Sequence, residues 1–198
     1  MADTTHRPRG SHFPVILALL LAAAAGITWR YFHTYHFAAV QPGVLYRDGN
    51  HSPAEFAAAL RRVGPKTVIS LVDDEEMAQP QFQAERVYCQ AHGIDLVRIP
   101  INLGGWPTDA QVQEFLRIAS DKARQPVLVH CAQGVRRTGM MTAAYQESIL
   151  GYDPEQAKAA VLSFGHSEHT IADVRKFIDG YDPKTRRVSA TLPATGNE

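Results

Sequence analysis

The run His130-Cys131-Ala132-Gln133-Gly134-Val135-Arg136-Arg137-Thr138-Gly139 sets one cysteine six residues before an arginine, with a glycine between them. The apolar stretch Pro126-Val127-Leu128-Val129 upstream reads as a buried strand. Thr138 to Leu150 reads as a helix with no breaker before Gly151. A loop joining strand end to helix start points successive N–H groups inward and adds the positive end of the helix dipole, which makes a cradle for a tetrahedral oxyanion. The same groups favour a thiolate at Cys131. Arg137 carries the planar fork that can hold two phosphate oxygens at once. The bland alternative is a buried cysteine in a turn that binds nothing.

These residues resemble the Cys-x5-Arg signature of the cysteine-dependent protein tyrosine phosphatases, and the HCxxGxxRTG form is similar to their dual-specificity branch. Rhodanese-like sulfurtransferases have a shorter cradle loop. Low-molecular-weight phosphatases and arsenate reductases carry the cysteine near the domain start, whereas here it follows at least three strand candidates. The resemblance covers about residues 40–180. It implies that Cys131 attacks phosphorus in line and forms a thiophosphoryl-enzyme that water hydrolyses. It further implies that the N–H groups of Ala132, Gln133, Gly134, Val135, Arg136 and Arg137 hold the equatorial oxygens. His130 would orient the loop and Thr138 would donate to the departing sulfur, with no metal and no cofactor.

The family also uses an aspartate acid on a loop about thirty residues before the cysteine. That window here, Arg98 to Gly105, has no carboxylate. Trp106-Pro107-Thr108-Asp109 resembles a Trp-Pro-Asp loop with one residue inserted, so Asp109 is the candidate acid. Its competing reading is a first-turn helix carboxylate. Asp73, Asp74 and Glu76 stand behind it as alternatives on a loop that otherwise reads as plain and solvated. Substrate remains open between a phosphorylated protein and a phospholipid or inositol phosphate. A catalytically weak phosphate-binding module is the non-enzymatic alternative.

The elements that must position this chemistry alternate between strand and helix. Val40 to Asn50 reads as an edge strand and turn, and resembles the Pro-Gly-x-Leu-Tyr-Arg start of atypical dual-specificity phosphatases. Ser52, Pro53 and Glu55 predict a capping box for a helix to Gly64. Thr67–Val72 is a continuous apolar strand, as in a sheet covered on both faces. A helix follows over 81–92, then a strand over 94–99. Thr108 and Gln111 predict a second capping box for a helix to about Ala123. Later helices start at Asp153-Pro154 and after a Thr170 cap. The fold class is therefore α/β, a central mostly parallel sheet flanked by helices, with the loop at the carboxyl end of a central strand.

Composition bounds the rest. The 198 residues balance 20 Lys+Arg against 20 Asp+Glu, which argues against nucleic-acid binding. Two cysteines, Cys89 and Cys131, form no disulfide framework. A reversible bond between them competes with an unrelated helix-face Cys89. His166, His169 and Asp173 suggest a metal but lack a fourth ligand. Residues 1–36 form a signal anchor and juxtamembrane segment, 37–182 the catalytic domain, and 183–198 a polar disordered tail. Residues 13–29 are uncharged and apolar, and Arg7, Arg9 and Arg30 flank them. This predicts a single-pass anchor with the domain on the extracytoplasmic side, and a cleaved signal peptide is the alternative. Leu192-Pro193-Ala194-Thr195-Gly196 matches a sorting signal without the apolar segment and basic tail that should follow it.

Overall fold

The computed structural model describes residues 13–32, 37–164 and 166–188. In chain order it holds α1 (Phe13–Phe32), β1 (Ala38–Gln41), β2 (Leu45–Gly49), α2 (Pro53–Val63), β3 (Thr67–Ser70), α3 (Asp74–Met77) and α4 (Pro80–Ala91). There follow β4 (Asp95–Arg98), α5 (Asp109–Ser120), β5 (Val127–Cys131), α6 (Arg136–Ser148), α7 (Pro154–Ser163), α8 (Ala172–Gly180), β6 (Tyr181–Asp182) and β7 (Arg187–Val188).

Five strands make the sheet that carries the cysteine, in the order β1-β2-β5-β3-β4. Only β1 runs antiparallel. Central β5 is buried along its whole length, because both faces of the sheet are covered. On one face Val127 and Val129 join a core that includes Phe115 of α5, Met140 of α6, Val161 of α7 and Phe177 of α8. On the other face Leu128 packs with Phe56 and Leu60 of α2 and Cys89 of α4. The alternation of side chains along β5 thus places Cys131 over α6 and His130 on the α2–α4 side.

Helix starts follow capping chemistry where side chains reach it. Thr108 accepts from the Gln111 amide at 3.3 Å, closing the expected capping box. Asp153 does the same for Gln156 at 2.8 Å. Ser52 differs from expectation: its backbone is extended, but its hydroxyl makes no cap bond and the box with Glu55 does not form. Proline inside the first turn and left-handed Gly64 bound that helix instead. Thr170 closes a turn with Ser167, and the last helix starts after Ile171. The acidic segment is no solvated loop but the short helix α3, capped reciprocally by Asp73 and Glu76.

Two terminal expectations need correction. Residues 183–188 are ordered, because the chain turns back through Asp182, whose carboxylate accepts from the Lys184 amide and the Thr185 hydroxyl, into the hairpin β6–β7. The remainder of the tail and its sorting-like motif lie outside the described residues. The chain divides into two units, 1–34 and 35–198. The apolar N-terminal segment does form a helix, α1, yet among the described residues no helix is long and apolar enough to cross a membrane. Its uncharged stretch 13–29 rises only ~26 Å, against a hydrocarbon core of ~30 Å. Arg7, Arg9 and the side chains of Trp29 and Arg30 lie outside the described residues.

Candidate active site

Cys131 is the last residue of β5, and Arg136 the first of α6, so the cradle is the four-residue bend 132–135. The Gly134 amide donates to Cys131 Sγ at 3.2 Å. Burial alone would raise the thiol pKa. The Arg137 charge, the Thr138 hydroxyl and amide, and the Gly134 amide outweigh it, and the net shift is downward. Thr138 Oγ1 is buried beside Cys131, which places its hydroxyl to serve the departing sulfur.

Gly134 sits at φ +68, a conformation that only glycine adopts without strain. It lies back to back with Gly49 at the end of β2. A Cβ on Gly134 would fall 2.6 Å from the Asp48 carbonyl oxygen, and one on Gly49 would fall 2.5 Å from the Gln133 carbonyl carbon. The end of β2 is therefore one wall of the cradle.

Arg137 is 5% exposed and held at fixed orientation. Its two terminal nitrogens form a fork on Glu76 of α3, with Nη2 donating to Oε1 at 2.7 Å and Nη1 to Oε2. Nη1 also donates to the Ile101 carbonyl at 3.1 Å. One guanidinium thus ties α6 to α3 and to the segment after β4. His130 is fully buried, and its Nε2 meets Glu85 Oε1 at 2.8 Å. Glu85 Oε2 accepts from Asn50 Nδ2 at 2.7 Å, and His130 Nδ1 lies 3.2 Å from the Cys131 carbonyl. Burial would lower the His130 pKa, but the Glu85 carboxylate raises it overall. The ring so held supports the cysteine from behind, on the opposite face of the sheet.

The other expected site residues are placed as follows. Asp109 starts α5, and its Oδ1 accepts from the Val188 amide at 2.8 Å, so the carboxylate braces the C-terminal hairpin. Arg136 supplies the first residue of α6, but its side chain turns outward. Nε donates to Asp173 Oδ2 at 2.7 Å, Nη1 donates to the Gly105 carbonyl, and the guanidinium lies 5.0 Å above the Trp106 ring. Asp173 is thereby an ion-pair partner of Arg136. Asp73 accepts from the Glu76 and Leu103 amides, at 2.8 and 3.0 Å. Slight burial opposes the shift, yet these amides and Arg137 lower its pKa. Cys89 is buried in the α2–α4 core with its pKa pushed up to about 12 by burial and by Glu85, and both cysteines are free thiols. Among the described residues no cluster of three or more His, Cys, Asp or Glu could hold a metal.

Glu76, Glu85, Asn50 and Arg47 are functional neighbours that the motif alone does not reveal. The signal for Arg47 and Asn50 was present in Tyr46-Arg47-Asp48-Gly49-Asn50, a polar run inside an otherwise apolar opening strand.

A lowered-pKa cysteine in a backbone cradle, closed by a buried arginine between a strand and a helix, defines a cysteine-based phosphatase site of protein-tyrosine-phosphatase type. Residues 39–178 match the family described as DSP-PTPase phosphatase fused to NAD+ kinase, and the chain belongs to that family. It is similar to the dual specificity protein phosphatase TpbA of Pseudomonas aeruginosa, 29% identical over 146 residues that cover 70% of this chain and 59% of that protein. It is also similar to the inositol diphosphatase DSP1 of Oryza sativa subsp. japonica, 33% identical over 110 residues, 52% of this chain and 46% of the relative. The chain thus spans less than two thirds of the length of these curated relatives. Among solved structures, P. aeruginosa TpbA superposes with a TM-score of 0.59 at 27% identity, covering 77% of this chain and 88% of that one. The core catalytic domain of the PP-IP phosphatase SIW14 from S. cerevisiae shares the fold, with a TM-score of 0.64 at 22% identity over 74% of this chain and 85% of the other.

Proposed function

We propose that the chain hydrolyses phosphate monoesters through Cys131, and that its substrate is a phosphorylated protein. The observation that carries the reaction is the buried Cys131 sulfur, which accepts from the Gly134 amide at 3.2 Å at the strand end beside Arg137 and Thr138, groups that lower its pKa against burial. The thiolate attacks phosphorus, the bond from phosphorus to the substrate oxygen breaks, that oxygen takes a proton from solvent, and a thiophosphoryl-enzyme forms. Water then attacks phosphorus and the sulfur leaves toward the Thr138 hydroxyl. Arg137 and the cradle amides stabilise the phosphoryl oxygens most when the group is flattened, which is the selective stabilisation that lowers the barrier.

What supports a singly phosphorylated substrate is the shortage of free cations at the cradle. Arg137 is already paired with Glu76, and Arg136 with Asp173 and the Gly105 carbonyl. On the neighbouring α3 Asp74 pairs with Arg98 at 2.8 Å and Glu75 is exposed. A crowded polyphosphate would find the Arg98 and Arg136 side chains already paired where it needs counter-charge. The second reading, an inositol phosphate substrate, is favoured by the similarity to the rice inositol diphosphatase. Turnover of an aryl phosphate tests the reaction, and its absence would leave a phosphate-binding module. A panel of phosphopeptides and inositol phosphates tests the substrate; higher kcat/KM on the inositol phosphates would reverse the order.

We also propose that the N-terminal helix attaches the chain to a membrane surface without crossing it. The support is an unbroken exposed apolar surface: Val15, Ile16, Leu19, Leu20 and Leu21 are each more than half exposed. Recovery of the full chain in the soluble fraction would reject attachment, and protease access in intact cells reports the side.

A further inference from the structure

Among the described residues Arg47 is the largest fully buried side chain, a cation in the middle of β2. Its neighbour across the β2–β5 ladder is Val129, two residues before the cysteine. Nη2 donates to the Gly134 carbonyl and, at 2.8 Å, to His166 Nε2. The guanidinium lies 4.5 Å above the Phe164 ring. Nε and Nη1 have no hydrogen-bond partner. A buried guanidinium with two idle donors is an expensive way to fill space, since an apolar side chain of that volume would pack without the desolvation cost.

Its contact falls on the cradle itself. In a peptide unit the C=O and the following N–H are fixed in one plane and point in opposite directions. A donor that holds the Gly134 carbonyl outside the loop therefore fixes the Val135 N–H toward the oxyanion. Gly134 can be held there because its left-handed backbone rests directly on Asp48 and Gly49, the residues that follow Arg47 in the strand.

We infer that Arg47 is a positioning residue for the phosphate cradle: through the Gly134 carbonyl it aims the 134–135 peptide, and its charge supports the anion at Cys131. This rests on the phosphatase reading of the loop. Arg47 hydrogen-bonds to the Gly134 carbonyl and to His166, and so acts through the loop.

The test uses the full chain as wild type, Arg47→Met and Arg47→Lys, with three readouts. These are tungstate affinity, the pH midpoint of Cys131 alkylation by iodoacetamide, and kcat on an aryl phosphate. Arg47→Met is expected to weaken tungstate binding and lower kcat by about tenfold or more, a loosened oxyanion donor being less severe than a deleted one. Its alkylation midpoint should move to higher pH. Arg47→Lys should restore the midpoint, because the charge returns, but only part of the tungstate affinity, because the hold on the carbonyl does not. Tungstate affinity and kcat within twofold of wild type in either folded variant would overturn the inference. If Arg47→Met does not fold, Arg47→Lys alone decides, and failure of both to fold would assign Arg47 a purely structural role. Wild type that neither binds tungstate nor turns over would instead overturn the phosphatase reading.

Discussion

At the scale of single residues, the site separates groups that make the anion from groups that merely stand near it. Cys131→Ser should abolish turnover on every substrate while tungstate still binds, because serine is not ionised at its ordinary pKa and the cradle amides are untouched. Arg137→Lys should lose both, since an ammonium cannot reproduce the fork that Glu76 holds in plane. Asp109 lends itself to a sharper experiment. Its carboxylate accepts the Val188 amide, a bond an asparagine oxygen can also accept. Asp109→Asn is therefore expected to leave rates on aryl and alkyl phosphates nearly unchanged and to alter stability by under about 1 kcal/mol. A loss of about 10²–10⁴-fold confined to the poor leaving group would instead show that Asp109 swings out of its place to protonate the leaving oxygen.

At the scale of elements, helix α3 contributes the residue whose loss should be felt most widely. Glu76→Ala leaves the Arg137 guanidinium buried without its counter-charge, a change that costs about 3–5 kcal/mol when a buried pair loses one partner. Thermal or urea unfolding would report it, and kcat/KM should fall with it because Arg137 is released from its plane. Gly49→Ala probes the facing wall. A methyl 2.5 Å from the Gln133 carbonyl carbon must displace the cradle, so tungstate affinity should drop even where the fold survives. These two positions also mark the limit of what the chain discloses unfolded. The strand–loop–helix around Cys131, the parallel sheet and the Thr108 and Asp153 caps are local patterns, readable because apolar periodicity and capping act within a few residues. Glu76, Glu85 and Arg47 act across 61, 45 and 87 residues of chain, on Arg137, His130 and Gly134 respectively, and no local pattern encodes such pairings. Asp73–Glu76 is instructive in the same way. Four acidic residues read as solvated until Arg137 arrives to pair with one of them, and a reciprocal cap turns the segment into helix. The Trp106–Asp109 segment had the right residue types, but its register places Trp106 under Arg136 and Asp109 on the hairpin.

At the scale of the whole molecule, several buried ionisable groups bias stability in the same direction with pH. Burial raises Asp48 to about 7, against the opposing pull of the Gly49 amide, His130 and Arg47. Burial, with Asp179 adding to it and Lys158 opposing, raises Glu147 to about 7. An unfolded carboxyl titrates near ~4, so between about pH 4 and 7 the native state binds more protons than the unfolded one. Stability must then fall as pH rises through that window. His130 adds the same sign: its native pKa is raised above the unfolded value, so its contribution is complete below about 6.5 and is lost as pH rises through the native value. These groups are accordingly expected to pull the thermal midpoint down from about pH 5 to pH 7, while Cys131, whose native pKa is lowered, pulls the other way as pH rises further. Asp48→Asn keeps an acceptor for the Gly49 amide but cannot titrate, so it should flatten the decline, and Glu147→Gln should flatten it further. A slope that neither substitution changes would mean that these carboxyl groups are ionised in the native state. The mechanism supplies a reason for tolerating the slope. The Arg47–Asp48–Gly49 strand end and the Glu85–His130 pair are the two supports behind the cysteine, and both need charged or polar groups where a purely apolar core would be more stable.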